Sequence, residues 1–197
     1  MTVRACLMSL AVLTLAAVAA AAPADVPPLY ATTKVDGTDG VYIFRYGRHQ
    51  SMFIVTPEGV IATDPIGLRR PAAKAYIEEI RKITSAPIKY VIYSHNHFDH
   101  VAGGQPFKDL GATFVAHRNA KAKIAHLNAP DVVVPDEVVD DKRSITLGGT
   151  TIELLYVGKN HSDGTLVMRL PKEKIIHGRL DSIANGSLPR HGRYLPA

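Results

Sequence analysis

The chain has 197 residues, a formal net charge of +5 and a single cysteine. That length is enough for one domain with a sizeable core. The lysines and arginines are scattered among acidic residues, which argues against a nucleic-acid-binding surface and favours a solvated surface of mixed charge. The sequence shows neither a low-complexity tract nor an internal repeat, so repeat architectures are also excluded.

Residues 1–22 have the pattern of a secretory signal peptide. Arg4 gives a positive start, an apolar run follows, and small residues allow cleavage near Ala22 or Ala24. The alternative is a membrane anchor, but the apolar run is short and a proline follows at once. We therefore expect a periplasmic or secreted protein without stable membrane insertion after cleavage. Cys6 lies inside this leader, so the mature chain would have neither disulfides nor thiolate metal ligands.

Beyond the leader, residues 23–39 are rich in Pro, Thr, Asp and Gly, which predicts an exposed N-terminal arm before a domain over 40–197. Runs of β-branched and aromatic residues predict strands at 41–46, 52–55, 60–63, 88–93, 112–116, 144–147, 151–156, 166–170 and 174–177. Helices are predicted from Pro71 onwards, over 106–110 and over 119–127. The stripe of the first helix consists of Ala73, Tyr76, Ile77, Ile80 and Ile83. This order predicts an α/β (α+β) fold in which helices cover a sheet.

A cluster of potential metal ligands follows the predicted strand 88–93. It contains three histidines and a carboxylate, namely His95, His97, Asp99 and His100. Imidazole and carboxylate groups are ligands that zinc takes. Residues two apart on an extended segment point the same way, so His95 and His97 can bind one ion. Asp99 and His100 follow where the chain must turn, and can reach a second ion. A polar strand end is the alternative, but the number of ligands favours a metal site with a position left for water.

Other polar residues also follow predicted strands. His161 and Asp181 do so, which predicts a site assembled from several strand-end loops. Asp64 is either a turn former or a carboxylate that orients a ligand histidine, and the sequence leaves both open. His117 and His126 are interpreted as surface or packing histidines.

Over roughly residues 40–190 the chain resembles the metallo-β-lactamase-fold superfamily. The resemblance is carried, in the family order, by EGVIATD (58–64), SHNHFDHVAGG (94–104), GKNHSDG (158–164) and IIHGRLD (175–181). It implies a four-layer αββα sandwich of two similar halves, with two zinc ions between the sheet edges. It also implies an exported, β-lactamase-like metallohydrolase that acts on a small molecule.

The resemblance assigns roles to particular residues. His95, His97 and His161 would bind one zinc, Asp99 and His100 the second, and Asp181 both ions or the second alone. A metal-bound hydroxide would attack an amide or ester carbonyl, with Asp99 as the catalytic residue that orients it and helps to move its proton. The chain has no cysteine near Asp181, so it does not match the β-lactamase subgroup that uses a thiolate there.

The chain departs from the family pattern at its C-terminus. The family's last histidine ligand lies well beyond the place of Asp181, whereas this chain stops at Ala197 and His191 is too near to replace that ligand. We therefore expect a truncated member in which the C-terminal part of the second half is missing. His177 is interpreted as structural. Two alternatives to a β-lactamase-like hydrolase remain: a lactonase or thioesterase of the same fold, and a catalytically incompetent fragment. The substrate, the native metal and the oligomeric state cannot be read from the sequence.

Overall fold

The computed structural model of the chain describes residues 28–67 and 71–178, so the predicted leader, Asp181 and His191 lie outside the described residues. The strands of the described part are β1 (Tyr30–Lys34), β2 (Val41–Tyr46), β3 (His49–Thr56), β4 (Gly59–Thr63), β5 (Ile88–Ile92), β6 (Thr113–His117), β7 (Glu137–Val139), β8 (Lys142–Leu147), β9 (Thr150–Tyr156), β10 (Leu166–Leu170) and β11 (Ile175–His177). Its helices are α1 (Pro71–Ile83), α2 (Phe98–Val101), α3 (Gln105–Asp109) and α4 (Arg118–Leu127).

The first sheet contains seven strands in chain order, from β1 to β7. Strands β1 to β4 are antiparallel, whereas β4 to β7 are parallel. Parallel neighbours need crossover connections, which α1, the α2–α3 pair and α4 provide. Because β4, β5 and β6 run the same way, the loops that follow them meet at one edge of the sheet. That edge is where the sequence predicts the metal ligands.

The second sheet has four antiparallel strands in the order β11-β10-β9-β8. The predicted strands 144–147 and 151–156 correspond to β8 and β9, which form a hairpin closed by Gly148 and Gly149, whose φ angles of 52° and 81° suit glycine. The loop between β9 and β10 lies at the end of this hairpin's second strand. It carries His161.

Two hydrophobic cores hold the layers together. In the first, Tyr76 and Ile80 of α1 pack with Phe44 and Phe53 of the first sheet. The second lies between the two sheets and contains Met52, Ile54, Ile61, Ile152, Leu154 and Met168. Each such buried side chain contributes about 1.5–3 kcal/mol of hydrophobic stabilisation. The described residues thus form a helix–sheet–sheet sandwich, which confirms the predicted α/β class. The helices expected on the outer face of the second sheet are not among the described residues.

The structure differs from the predicted elements in four places, one of which is the short helix Phe98–Val101, where only a turn was predicted. Tyr30–Lys34 forms an edge strand paired with β2, where an exposed arm was expected. Its side chains are exposed or half-buried, so the segment has no apolar alternation to signal a strand. The apolar stripe of α1 ends at Ile80, because Ile83 is 38% exposed. The short strand Glu137–Val139 was not predicted. Among the described helices, none is long and apolar enough to cross a bilayer.

Candidate metal centre

The metal-ligand motif begins in the loop between β5 and α2. The Ser94 amide donates a hydrogen bond to Asp64 Oδ1 at 2.7 Å, which ties this loop to the end of β4. His95 follows and is fully buried. His97 has extended backbone angles, with φ −69° and ψ 140°, and precedes the first residue of α2. His97 is therefore extended, whereas the chain bends at Ser94 and His95 just before it.

Three imidazoles form the first group, which we call the three-histidine cluster. It consists of His95, His97 and His161, which each offer one ring nitrogen within 4.8 Å of the other two. The three ring centroids lie 4.5–4.7 Å apart. The structure thus brings together residues that are more than sixty positions apart in the chain. Three imidazoles at this spacing fit a zinc site that keeps an open position.

The loop that carries His161 is fastened to the first sheet and to α4. The Leu166 amide donates to the Ser94 carbonyl oxygen at 2.8 Å, which joins the start of β10 to the motif loop. Lys123 Nζ lies 2.6 Å from Asp163 Oδ1, and Asn119 Nδ2 donates to the Asp163 carbonyl oxygen at 2.9 Å. These bonds hold the two motifs in one place, although they come from different sheets.

A second group, the histidine–aspartate cluster, lies next to the first. It consists of His49, Asp99 and His100, again with one ligand atom each within 4.8 Å. Asp99 Oδ2 lies 3.0 Å from His49 Nε2 and 3.6 Å from His100 Nε2. Asp99 and His100 were predicted to act together. His49 was missed, because an isolated histidine before an apolar run carries no ligand spacing that could identify it.

Asp64 connects the two clusters. Its carboxylate is buried, accepts hydrogen bonds from the Ser94 amide and hydroxyl, and lies 3.1 Å from His100 Nδ1. Its own carbonyl oxygen accepts the Ser51 hydroxyl at 2.5 Å. With φ of 28°, Asp64 also occupies the left-handed region that Asp and Asn tolerate best. Both alternatives left open by the sequence therefore hold for its geometry, since the residue turns the chain and orients a histidine.

The hydrogen-bond network assigns the tautomers of two histidines. The Ser94 hydroxyl gives its only proton to Asp64 Oδ2 at 2.5 Å, so its oxygen must accept from His95 Nδ1 at 2.9 Å. The Asp64 carboxylate likewise accepts a hydrogen bond from His100 Nδ1. Both rings thus carry the proton on Nδ1, which leaves the Nε2 lone pair as the metal-binding atom.

Burial and neighbouring charge shift the pKa values in the directions that metal binding needs. Burial, aided by the charges of His100, His161 and His97, lowers the pKa of His95 to about 3, so this ring is neutral. For Asp64, burial raises the pKa, but the hydrogen bond and charge of His100 outweigh it and leave the pKa below 3.8. Burial acts to raise the pKa of Asp99 as well. The charge of His100 and the hydrogen bond with His49 outweigh burial, so the pKa of Asp99 is lowered overall. Both carboxylates are therefore ionised.

The donor atoms fit a zinc ion. Zinc takes neutral imidazole nitrogens and carboxylate oxygens, and the only cysteine of the chain, Cys6, lies in the predicted leader. His95 Nε2 is buried and has no hydrogen-bond partner within the described part of the chain. Burying a nitrogen whose lone pair has no partner destabilises the folded state by about 1–3 kcal/mol, unless a ligand binds there. A cation held at the three-histidine cluster would remove that penalty.

The remaining histidines lie as the sequence suggested. His117 is buried, stacks on Tyr156 with ring centroids 4.0 Å apart, and accepts the Asn119 amide at 3.2 Å. His126 is exposed on α4. His177 ends β11, and burial lowers its pKa while the charges of Asp64 and His100 also act on it. It therefore borders the site.

One close contact fixes the loop after β4 against the loop after α2. A Cβ at Gly67 would lie 2.0 Å from the carbonyl carbon of Ala102, so only glycine fits there. The Gly103 and Gly104 amides both donate to the Asp131 carbonyl oxygen, at 2.9 and 3.0 Å. These contacts hold the end of the helix that carries Asp99 and His100.

Comparison with known proteins identifies a family whose fold agrees with this geometry. A family model described as the metallo-beta-lactamase superfamily matches residues 45–177. Metallo-beta-lactamase type 2 from Elizabethkingia meningoseptica is 28% identical over 129 residues, which cover 65% of this chain and 50% of that protein. The alpha subunit of 2,4-dinitroanisole O-demethylase from Nocardioides sp. (strain JS1661) is 25% identical over 142 residues, with 71% and 41% covered. The chain thus spans about half the length of these curated relatives.

Solved structures agree on the fold. A metallo-beta-lactamase from Pontibacter korlensis superposes with a TM-score of 0.65 at 21% identity, covering 75% of this chain and 69% of that one. A metallo-beta-lactamase from Cronobacter sakazakii gives a TM-score of 0.60 at 25% identity, covering 76% and 62%. The family match covers more than half of the sequence and includes both clusters. The chain therefore belongs to the metallo-beta-lactamase superfamily.

Proposed function

We propose that this chain is a zinc-dependent hydrolase that cleaves an amide or ester bond in a small-molecule substrate. One observation carries the proposal: the three-histidine cluster and the histidine–aspartate cluster lie side by side at one edge of the sandwich. Together they offer five imidazoles and a carboxylate. The names of the relatives, several of which are metallo-beta-lactamases, support the same reaction class.

Bound zinc would supply Lewis-acid chemistry, lowering the pKa of a coordinated water and stabilising negative charge that develops on a carbonyl oxygen. His95, His97 and His161 would hold one ion, and Asp99 with His100 would contribute to the second site. Ser94 and Asp64 would keep His95 and His100 in the tautomers that present Nε2. These residues position the donors before substrate arrives, so little reorganisation is needed in the reaction.

Asp99 is the proposed catalytic residue. Its side chain is 32% exposed, compared with 2% for Asp64, so substrate and water can reach it from solvent. With Oδ2 engaged by His49 and facing His100, Oδ1 is the oxygen proposed to accept a proton from the attacking water. The lowered pKa of this carboxyl keeps it ionised and able to act as the proton acceptor at neutral pH.

The bond that is cleaved defines the alternatives within this class. A β-lactam is the first candidate, and a lactone or thioester is the second, because each presents an activated carbonyl to the same donors. One relative is named for O-demethylation of 2,4-dinitroanisole, so the fold also serves other substrates.

We also propose that the chain is exported, on the basis of residues 1–22. Export predicts that protein recovered from the periplasm or medium begins near Ala22 or Ala24, as mass spectrometry would show.

The decisive experiment compares His97→Ala with His126→Ala in the purified mature chain. His97 belongs to the three-histidine cluster, whereas His126 is exposed on α4, so both variants lose an imidazole but only one loses a ligand. Zinc per chain would be measured by elemental analysis after dialysis, and turnover with a panel of a β-lactam, a lactone, a thioester and a phosphoester. Changes to groups that merely orient ligands lower affinity about 10–100-fold, so loss of a ligand should exceed about 100-fold.

We expect zinc and turnover in the parent and in His126→Ala, and the loss of both in His97→Ala. A chelator should abolish turnover, and added zinc should restore it. Turnover that survives chelation, or His97→Ala as active as the parent, would overturn the proposal. A parent chain that is folded but holds no zinc would favour the catalytically incompetent alternative.

A further inference from the structure

The residue that the sequence analysis missed, His49, occupies a defined position beside Asp99. It is the first residue of β3 and pairs with Tyr46 across the β2–β3 hairpin. Gly47, with φ of 58°, closes that hairpin together with Arg48. A register slip of one residue would turn the His49 side chain to the opposite face of the sheet. The hairpin therefore determines which way this imidazole points.

The face of β3 that carries His49 also lines the metal centre. Ser51 lies two residues further on and thus on the same face, and its hydroxyl donates to the Asp64 carbonyl oxygen at 2.5 Å. The His49 ring reaches past this contact, with its Nε2 atom 3.0 Å from Asp99 Oδ2. Its side chain is 22% exposed, so it lies at the mouth of the site rather than in the core.

The distances in this cluster are those expected between ligands of one ion. Zinc bonds of about 2.0–2.1 Å at tetrahedral angles place neighbouring ligand atoms about 3.3 Å apart. Asp99 Oδ2 lies 3.0 Å from His49 Nε2 and 3.6 Å from His100 Nε2, on either side of that value. His100 faces Asp64 with Nδ1, so Nε2 is the ring nitrogen on the side of Asp99. Two imidazoles and one carboxylate leave a fourth position for water or for Asp181, which the resemblance assigns to this ion.

We propose that His49 is a ligand of the second metal ion, together with Asp99 and His100. This inference rests on the proposed function, because it assigns a ligand to the second site of the same centre. The alternative role for His49 is a hydrogen bond that orients Asp99 without metal contact. The two roles require different chemistry at position 49, since a ligand needs an imidazole lone pair and a hydrogen bond needs only a donor.

The test uses His49→Ala and His49→Gln, with His126→Ala as the matched control. Glutamine keeps a donor that can reach Asp99 but is a poor zinc ligand, so it separates the two roles. The mature metal-free chain would be titrated with cobalt(II), and its visible absorption would follow each equivalent bound. Far-UV circular dichroism and the first equivalent, which reports the three-histidine cluster, would verify that each variant is folded.

We expect both His49 variants to keep the first equivalent and to bind the second more than about 100-fold more weakly than the parent. His126→Ala should match the parent. Second-equivalent affinity that is restored by glutamine, or unchanged in His49→Ala, would overturn the assignment while leaving the proposed function intact. A parent that binds no cobalt at all would overturn the proposed function and, with it, this assignment.

Discussion

The two clusters are built from different chemistry, although they adjoin. The three-histidine cluster contains only imidazoles, and His95 at its centre is fully buried. The histidine–aspartate cluster contains a carboxylate, with Asp99 32% and His49 22% exposed and His100 buried. Each cluster thus has one buried imidazole and two half-buried members, so the clusters differ in charge rather than in burial. The neutral imidazoles are suited to hold an ion, whereas the carboxylate of the other cluster can also move protons.

Asp64 is the feature that the two clusters share. It orients His100 directly and orients His95 through the Ser94 hydroxyl. The two clusters can be distinguished experimentally at three levels: by perturbing both, by perturbing the three-histidine cluster through pH, and by cutting only its link to Asp64.

The largest effect is expected from Asp64→Asn, which should damage both clusters. Asparagine tolerates the φ of 28° at this position, so the variant removes the charge without straining the turn. An amide group cannot accept all the protons that now point at the carboxylate, and the buried donors of Ser94 and His100 lose their partner. We expect the free energy of unfolding to fall by about 3 kcal/mol. Urea denaturation measures this change, and elemental analysis should show loss of both ions.

If Asp64→Asn lost only the second ion, the Ser94 link would not transmit orientation to His95. That result would mean that Asp64 orients His100 alone and does not act on His95.

An intermediate effect is expected from pH on the metal-free chain. The folded-state pKa of His95 is about 3, well below its ordinary value of 6.5, so between these values the unfolded chain binds more protons than the folded one. Stability from this residue is therefore fully present above about pH 6.5 and is lost as the pH falls toward about 3. Asp64 and Asp99 act in the same direction at still lower pH, because their pKa values lie below 3.8. Urea denaturation between pH 7 and pH 4 measures the slope.

His95→Gln serves as the control for that slope, because glutamine does not titrate. We expect a flatter dependence between pH 7 and pH 4 than in the parent. Equal slopes in the two proteins would mean that His95 is not the group responsible.

The smallest effect is expected from Ser94→Ala, which cuts the link between Asp64 and His95 and leaves the contact of Asp64 with His100 intact. Loss of the two hydrogen bonds of the Ser94 hydroxyl, to Asp64 and from His95, should lower the free energy of unfolding by about 2 kcal/mol. Zinc affinity at the three-histidine cluster should fall about tenfold, with the second site unaffected. Titration with cobalt(II) separates the two sites, and an equal loss at both would contradict the division between the clusters.

The sequence by itself determined much of this centre. The spacing of His95, His97, Asp99 and His100 after an apolar strand was readable because ligand spacing and strand period are local properties. The βαβ order and the Gly148–Gly149 hairpin followed from the same kind of local pattern. His161 could be named as a candidate only through its place after a strand and through the family resemblance.

Only the tertiary structure decided which distant residues meet. His49 joins Asp99 because the β2–β3 hairpin register and the parallel pairing of β4 with β5 bring β3 beside α2, and no short-range pattern encodes that contact. The sequence left the role of Asp64 open. Its contacts with both clusters depend likewise on the pairing of distant strands. Strand β1 has no apolar alternation and exists through its backbone pairing with β2. Local patterns place candidate ligands along the chain, whereas sheet pairing and burial determine which of them come together.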